Sequence, residues 1–342
     1  MDLRQFGWNR FFEGAFAPHV SALTPGRVAS ENRGHFLIWS SGGEHSATLA
    51  GAVRDEGPAA GPVTGDWVAF DAASNRIHAV LPRRTTVSRR QPGRVVAEQV
   101  LAANVDVLFV VTALDGDFNL RRLERYLLAA HQSGAQPVIL LNKSDLMADP
   151  MAPLRAADRL ARGVPVVLLS ALDPASAAQL HRFVEPGATA ALIGSSGAGK
   201  STIVNSLLGE QAQATRRIRE DGRGRHTTTA RQLFLLRQGW LLIDTPGLRE
   251  LAPWVEPGAI DTVFADIEML ASGCRFRNCR HGGEPGCAVA GAIERGLLES
   301  GRLAGFQKLR RELHHLAVQQ DARLAWEDKR KLKRLHKAFR DR

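Results

Sequence analysis

The sequence predicts a multidomain protein with a small N-terminal β-barrel, an α/β domain built on a parallel sheet, and a cysteine-bearing helical domain at the C-terminal end. Three observations predict this: short strand-like segments between turn residues in 27–81, buried apolar runs alternating with helical stretches after residue 105, and three cysteines within a short span. We assign 1–26 to an N-terminal extension, 27–83 to the barrel, 84–98 to a linker, 99–256 to the α/β domain and 257–342 to the helical domain.

Composition limits the class of protein. The 342 residues are 44% hydrophobic and 23% charged, which excludes a disordered or collagen-like chain. Since no apolar run is long enough for a secretory signal or a membrane span, we expect a cytoplasmic protein with no membrane partner. The formal net charge of +10 is concentrated at one end, because residues 302–342 hold 13 Lys and Arg against 5 Asp and Glu. A polyanionic partner would therefore bind mainly at the C-terminal region.

The predicted barrel rests on four short segments. Residues 35–40, 47–54, 66–71 and 76–81 are separated by Gly, Pro, Asp and Asn, and strands of this length and spacing are typical of a small barrel. The next segment, 82–93, is basic, polar and bounded by prolines, which is typical of a linker.

The α/β domain follows from longer apolar runs. A helical stretch at 120–133 lies between two of them, and alternation of this kind predicts a parallel sheet covered by helices on both faces. The runs that we assign to buried strands are 105–113, 137–142, 164–171, 189–194 and 240–244.

A phosphate-binding loop is predicted at 194–201, where the sequence reads GSSGAGKS after an apolar strand and before a helix at 202–208. Glycines allow the backbone amides to turn toward phosphates, and Lys200 supplies a positive charge to the outer phosphates. The hydroxyl of Ser201 is a candidate magnesium ligand. A Gly/Ser-rich turn without function is the alternative, and the strand–loop–helix context disfavours it.

The base is predicted from residues 142–145, which read NKSD at the end of a buried strand. The carboxylate of Asp145 can accept hydrogen bonds from the N1 and exocyclic amine of guanine, whereas adenine has no N1 hydrogen to donate. An isolated tetrapeptide of this kind could also be a turn with a helix cap. Ser170 and Ala171 follow the next strand and could offer a backbone amide to the guanine oxygen.

The γ-phosphate side of the site is predicted from two further motifs. Asp244 begins DTPG at the end of a strand, so Asp244 can hold magnesium through water and the amide of Gly247 can approach the γ-phosphate. The segment 222–229 reads GRGRHTTT, and one of its three threonines should bind magnesium; we favour Thr228. His226 is the candidate for positioning water, and a solvated loop histidine is the equal alternative.

The order of these motifs is unusual, because the guanine-reading motif precedes the phosphate loop. The same site can form from a circularly permuted chain, since sheet packing does not depend on where the chain ends lie. Position 248 is Leu, where many small GTPases carry a water-orienting Gln, so intrinsic hydrolysis should be slow and depend on a partner.

A metal site is predicted in the C-terminal domain. The chain has three cysteines, and all lie close to one histidine, in the order Cys274, Cys279, His281 and Cys287. Three thiolates and an imidazole complete a tetrahedron with no open position, so zinc would be structural here. Buried cysteines beside a surface histidine are the alternative, and the Gly- and Pro-rich surroundings disfavour burial.

The basic tail includes KRKLKR at 329–334. A solvated helix face is the ordinary interpretation of such a run. Its position beside a zinc module and a barrel favours contact with the phosphate backbone of RNA, and the lack of a broad apolar stripe disfavours a membrane.

These motifs together resemble the family of circularly permuted ribosome-biogenesis GTPases called RsgA or YjeQ. The resemblance covers nearly the whole chain, and its most specific parts are the motif order and CRFRNCRHGGEPGCAV at 274–289. It implies an N-terminal OB-fold, a circularly permuted P-loop GTPase domain and a C-terminal zinc-binding domain. It also implies binding to the small ribosomal subunit and its rRNA late in maturation, with GTP hydrolysis stimulated by that particle.

We therefore predict a slow, subunit-stimulated GTP phosphohydrolase, expected to be a monomer, with one structural zinc and with magnesium accompanying GTP. The rival hypothesis is a nucleotide-gated RNA-binding scaffold in which hydrolysis is incidental; a metabolic kinase is disfavoured by NKSD. The proposed catalytic residues are Lys200, His226 and Thr228. The predicted nucleotide contacts are Asn142, Lys143, Asp145, Ser170, Ala171, Gly194, Ser195, Ser196, Gly197, Ala198, Gly199, Lys200, Ser201, Thr202, Asp244 and Gly247.

Overall fold

The computed structural model describes residues 2–51, 53, 61–90, 98–116, 118–209, 231–244 and 260–320. The chain divides into two compact units, the first formed by Met1–Arg90 with Glu98–Pro253 and the second by Gln91–Ala97 with Trp254–Arg342. The first unit holds the strands described below, and the second is helical over its described residues.

Thirteen strands are present in the described part of the first unit. They are β1 Thr24–Asn32, β2 His35–Ser40, β3 Gly43–Leu49, β4 Trp67–Asp71, β5 Arg76–Val80, β6 Thr86–Arg90, β7 Glu98–Ala103, β8 Val107–Ala113, β9 Gln136–Asn142, β10 Val166–Leu168, β11 Thr189–Gly194, β12 Gln232–Leu235 and β13 Leu241–Asp244.

Helices accompany these strands, and others form the second unit. In the first unit they are α1 Arg10–Phe16, α2 Leu120–Ser133, α3 Met151–Ala161, α4 Pro174–Ala178 and α5 Lys200–Leu208; in the second they are α6 Ile260–Val263, α7 Ala265–Ala271, α8 Ala288–Glu294 and α9 Ser300–Gln320.

The barrel and the α/β domain share one continuous sheet. Its strand order is β10-β9-β8-β11-β13-β12-β1-β2-β3-β5-β4, and an additional β1–β4 pairing closes the five N-terminal strands into a barrel. Strands β10, β9, β8, β11 and β13 are parallel, and β12 is antiparallel to β13. A single pairing, Ser30 with Gln232, joins β1 to β12. The predicted small barrel and parallel sheet are confirmed.

Two segments differ from the sequence-based expectation. Strand β1 covers Thr24–Asn32, although its residues TPGRVASEN contain Pro, Gly and Ser and show little strand propensity. Strand β6, Thr86–Arg90, lies in the segment predicted as a linker and pairs antiparallel with β7. In β1, pairing with the distant strands β4 and β12 overrides a weak local preference. In β6, pairing with the next strand, β7, does so. The strand predicted at 47–54 lies earlier in the chain, because β3 covers Gly43–Leu49. The domain bounds themselves stay a prediction.

The parallel sheet has the interior that its apolar runs predict. Every residue of β8 and β11 is buried, as expected for strands covered on both faces. Helix α2 begins after Asn119, whose side chain accepts from the amides of Arg121 and Arg122, and it ends at Gly134 in the left-handed conformation. These two local signals place α2 at the residues that the sequence predicts.

A buried arginine joins the barrel to the α/β domain. Arg27 of β1 is 2% exposed, and its guanidinium donates to the carbonyl of Gly65 at 3.3 Å, to that of Asn104 at 3.2 Å and to the Thr189 hydroxyl at 2.8 Å. It also donates to the carbonyl of Phe6. One side chain thus ties together the N-terminal segment, the barrel and the first residue of β11.

The charge on this arginine is retained despite its burial. Desolvation lowers the pKa of Arg27 to about 10, and the negative charges of Asp106 and Asp66 oppose that effect. Since this pKa remains well above neutrality, the buried group is a guanidinium cation at pH 7. A buried cation is stable here because its donors have fixed acceptors.

The second unit has its own small core. Asp266 of α7 and Arg302 of α9 form an ion pair with a nitrogen–oxygen distance of 2.6 Å. Phe264 and Phe306 pack with ring centroids 5.4 Å apart, and Leu309 is buried beside them in α9. The helical structure predicted for this domain is confirmed over α9, whereas the basic tail beyond residue 320 lies outside the described residues.

Replacing Arg27 with Met should lower the free energy of unfolding by about 3–5 kcal/mol, because four buried acceptors each lose a hydrogen bond. Urea denaturation followed by tryptophan fluorescence measures this, since Trp67 lies beside the guanidinium. The exposed Arg10 provides the control, as Arg10→Met should change the unfolding free energy by less than about 0.5 kcal/mol. Equal effects of the two substitutions would contradict the role assigned to Arg27.

Candidate functional site

The carboxyl ends of the parallel strands bring the predicted nucleotide motifs to one edge of the sheet. Asn142 is the last residue of β9, Gly194 the last of β11 and Asp244 the last of β13. Ser170 and Ala171 follow β10, with Ala171 buried. Ligands of open α/β sheets bind at this edge, so the placement agrees with the motif-based prediction.

The phosphate loop needs glycine at both of its ends. Gly194 has φ +152°, and a Cβ on it would lie 2.1 Å from the carbonyl oxygen of Val111 in the neighbouring strand. Gly199 has φ +93°, and a Cβ there would lie 2.2 Å from Nδ2 of Asn142. Helix α5 then begins at Lys200, two residues before the predicted start. Gly197 and the half-buried Ser195 lie in the loop between, with Ser196 exposed and Ala198 buried.

The lysine of the loop is held close to its backbone. Nζ of Lys200 lies 2.7 Å from the carbonyl of Gly194 and 2.6 Å from that of Ser195. Ser201 is exposed and Thr202 is half-buried in the first turn of α5. Lys200 is the first residue of α5, and both an ammonium group and the N-terminal amides of a helix can bind phosphate oxygens.

Asn142 connects the base-reading loops to the phosphate loop. This side chain is 1% exposed, its Nδ2 donates to the carbonyl of Ala198 at 2.8 Å, and its Oδ1 accepts from the amide of Ala171 at 3.0 Å. The close approach of Gly199 completes the contact. One buried amide thus sets the spacing between three loops that lie far apart in sequence.

The side chain of Lys143 is held by an ion pair, whereas that of Asp145 is exposed. Lys143 adopts the left-handed conformation with φ +61°, and its Nζ lies 2.7 Å from Oδ2 of Asp115, which follows β8. Asp145 is exposed in a short 3₁₀ turn formed by Ser144–Leu146. An exposed carboxylate at the strand edge is available to a ligand. Asp115 was missed by sequence reasoning, and its only signal is an acidic residue directly after a buried strand.

Part of the predicted γ-phosphate side cannot be placed. His226, Thr228 and Gly247 lie outside the described residues. Asp244 is described, and it pairs in register with Gln232 of β12. The strand end that carries Asp244 is therefore fixed by the sheet, next to β11 and the phosphate loop.

The second unit brings the predicted metal ligands together. The donor atoms of Cys274, Cys279, His281 and Cys287 all lie within 4.8 Å of one another. Nδ1 of His281 is 3.7 Å from the sulfur of Cys274 and 3.5 Å from that of Cys287. Three sulfurs and one imidazole at this spacing fit a tetrahedral thiophilic metal, with no further protein ligand needed.

The surroundings act in opposite directions on two of the thiols. The backbone hydrogen bond at His281 favours ionisation of Cys279, but desolvation and the neighbouring thiols of Cys287 and Cys274 outweigh it and raise the pKa of Cys279 to about 11. Partial desolvation opposes ionisation of Cys274, but backbone amides of Ala288 and Val289 outweigh it and lower the pKa of that thiol. Cys287 caps α8, where its sulfur accepts from the amide of Ala290 at 3.3 Å. Thiolates are the form that binds metal.

The geometry can be compared with known proteins. The family model described as RsgA GTPase matches residues 80–254. A protein of Opitutus terrae named small ribosomal subunit biogenesis GTPase RsgA is 46% identical, over 100% of this chain and 98% of that relative. The chain belongs to the RsgA GTPase family. Relatives with the same name in Methanosarcina acetivorans and Xanthomonas oryzae are each 42% identical, covering 90% and 94% of this chain and 84% and 92% of the relatives.

Solved structures agree on the fold. The structure titled YjeQ from Thermotoga maritima has a TM-score of 0.63 at 24% identity, covering 85% of this chain and 98% of its own. A structure titled YloQ, a circularly permuted GTPase, has a TM-score of 0.60 at 22% identity, covering 86% and 96%. The OB-like barrel and permuted order of this RsgA-family chain are therefore shared with them. None of the described helices is long and apolar enough to cross a membrane.

Replacing Gly199 with Ala should destabilise the nucleotide-free protein by about 2–3 kcal/mol, because a strained φ is combined with a clash against the buried Asn142. Gly197→Ala is the matched control, since Gly197 also has a positive φ but no atom lies within 4 Å of its added Cβ. Its cost should be about 1 kcal/mol, from backbone strain alone. Thermal unfolding of both variants measures the difference. Equal losses of stability would show that the Asn142 side chain can move away from the added Cβ without a cost in free energy.

Proposed function

We propose that this protein hydrolyses GTP to GDP and phosphate while assisting late maturation of the small ribosomal subunit. The observation that carries the proposal is the buried amide of Asn142, which holds a guanine-type loop and a phosphate loop at one sheet edge. The names of the relatives, small ribosomal subunit biogenesis GTPase, supply the biological process.

In this proposal the described residues bind and orient the nucleotide. Asp145 accepts from the N1 and amine of guanine, and Lys143, held by Asp115, covers the base. The loop at Ser170 and Ala171 faces the guanine oxygen. This loop is held in place because the amide of Ala171 donates to Oδ1 of Asn142. Lys200 and the first amides of α5 neutralise the phosphates.

Magnesium would be held by oxygen donors of this chain. Ser201 at the start of α5 is the direct candidate, Asp244 acts through water, and Thr228 is the proposed third donor. Magnesium supplies charge neutralisation between the outer phosphates when bound. His226 is proposed to orient the attacking water, and Leu248 cannot do so, so turnover should be slow until the subunit binds.

The proposed partner is the small subunit with its rRNA. The +8 carried by residues 302–342 suits the phosphate backbone of RNA. We propose a monomeric, cytoplasmic factor whose Cys274, Cys279, His281 and Cys287 hold one structural zinc. With all four donors contributed by the protein, that zinc would stabilise its domain and take no part in hydrolysis.

GTP turnover measured alone and with purified small subunits tests the proposed activity. We expect slow release of phosphate from the free protein and stimulation of at least tenfold by subunits, because an additional group must complete the site. ATP in place of GTP should give turnover near background. Absence of stimulation would favour a nucleotide-gated scaffold, and equal use of ATP would contradict the guanine assignment.

Replacing Asp145 with Asn should weaken GDP binding by roughly a hundredfold and strengthen xanthosine diphosphate binding, because an amide donates where the carboxylate accepts. Fluorescence titration with both nucleotides measures the exchange of preference. Asp158→Asn is the control, since Asp158 is an exposed carboxylate on α3. An Asp145→Asn protein that kept its preference for GDP would show that another group reads the base.

Removing the metal with a strong chelator should expose the amides of residues 274–287 to hydrogen exchange, because the ligand-bearing segment has few apolar side chains of its own. Mass spectrometry of peptic peptides, before and after adding back zinc, measures the change. Peptides from β8 and β11 serve as the internal control. Unchanged protection of 274–287 in metal-free protein would refute a structural zinc.

A further inference from the structure

Two side chains outside the metal-ligand set hold the segment that carries the histidine ligand. The carboxylate of Glu284 accepts from the amide of Arg280 at 2.9 Å through Oε1 and from the amide of Gly282 at 2.7 Å through Oε2. These amides lie on either side of His281. From α9, Nε2 of Gln307 donates to the carbonyls of Arg280 at 3.1 Å and His281 at 3.3 Å.

The backbone of His281 needs such support. Its φ is +58°, in the left-handed region that residues with a Cβ adopt only at a cost in free energy. Unusual conformations of this kind persist where the surrounding structure fixes them. In this conformation His281 is 8% exposed, and its Nδ1 lies 3.7 Å from the sulfur of Cys274 and 3.5 Å from that of Cys287. The strained backbone is therefore what directs the imidazole into the cluster.

We propose that Glu284 and Gln307 are positioning residues for the metal, because together they fix the peptide groups around His281 and direct its Nδ1 toward the cysteine sulfurs. This rests on the proposed zinc site. Neither side chain is a ligand in the Cys₃His set. Groups that orient metal ligands in this way typically contribute one to two orders of magnitude in metal affinity.

The contact from Gln307 has a second consequence. Gln307 lies in α9, Ser300–Gln320, beside the buried Phe306. The metal segment and the long C-terminal helix are thus joined by hydrogen bonds. Metal binding would stabilise the orientation of this helix relative to the cysteine loop within the second unit.

The first test is zinc affinity of the full-length protein, measured by competition with a chromophoric chelator. Glu284→Gln should weaken zinc binding by roughly 10–100-fold, because a carboxamide can accept only one of the two amide hydrogen bonds and places its NH₂ group against the other donor. Gln307→Ala should also weaken zinc binding, because the carbonyls of Arg280 and His281 lose their donor from α9. Glu294→Gln removes an exposed carboxylate from α8 with the same change of charge, and it should bind zinc as the wild type does.

The second test separates positioning of the histidine from general support of the loop. In a His281→Ala background, Glu284→Gln should have little further effect on zinc affinity, because no imidazole remains to be directed. An equal loss in both backgrounds would overturn the proposal and assign Glu284 to loop structure alone. Hydrogen-exchange protection of peptides from α9 in each variant verifies that the second unit has folded, and Gln307→Ala decides the question where Glu284→Gln does not fold.

The outcomes also separate this inference from the zinc proposal. A wild-type protein that binds no zinc would overturn both the zinc assignment and the role of Glu284. Wild-type protein that binds zinc tightly, with Glu284→Gln and Gln307→Ala equally tight, would overturn the positioning role and leave the zinc site standing.

Discussion

The first unit depends on a single buried cation. Arg27 lies in the strand that belongs to both the barrel and the continuous sheet, and its guanidinium binds the Thr189 hydroxyl at the first residue of β11. The last residue of that strand is Gly194, where the phosphate loop begins. Because a buried guanidinium must keep its acceptors, the barrel cannot shift against β11 without losing hydrogen bonds that have no substitute in the interior. The position of the phosphate loop therefore depends on the barrel as well as on its own sheet.

In the candidate nucleotide site, too, one buried polar side chain holds separate segments together. The amide of Asn142 has one donor and one acceptor in use, one toward Ala198 and the other from Ala171. A buried amide satisfied on both sides fixes the distance between the loops that it joins, because losing either bond leaves an unpaired polar group. Gly199 is required for the same reason, since only the absence of a Cβ permits this approach. The loop that begins at Asn142 and the predicted phosphate loop are thus held together by hydrogen bonds of the protein itself.

The second unit combines a small helical core with a loop that carries four candidate metal ligands. Packing of Phe264 on Phe306 and the Asp266–Arg302 ion pair stabilise the helices, while the cysteine loop has turns and polar groups in place of apolar contacts. In our proposal a bound zinc stabilises this loop, and the hydrogen bonds to the peptide groups around His281 hold the imidazole toward the cysteine sulfurs. The helices of the second unit are therefore stabilised by packing and an ion pair, whereas the loop carries the candidate metal ligands.

The sequence by itself determined the local features of this protein. The residues of α2 were predictable because Asn119 and Gly134 mark its ends, and the motifs at 142–145 and 194–201 were predictable because each carries its chemistry in consecutive residues. The four metal donors were predictable from their spacing. Tertiary structure alone decided that TPGRVASEN forms a barrel strand, that Arg27 is buried, that Asp115 pairs with Lys143 and that Glu284 flanks the histidine ligand. Those features depend on partners tens of residues away or on backbone conformation, and local propensity contains no information about either.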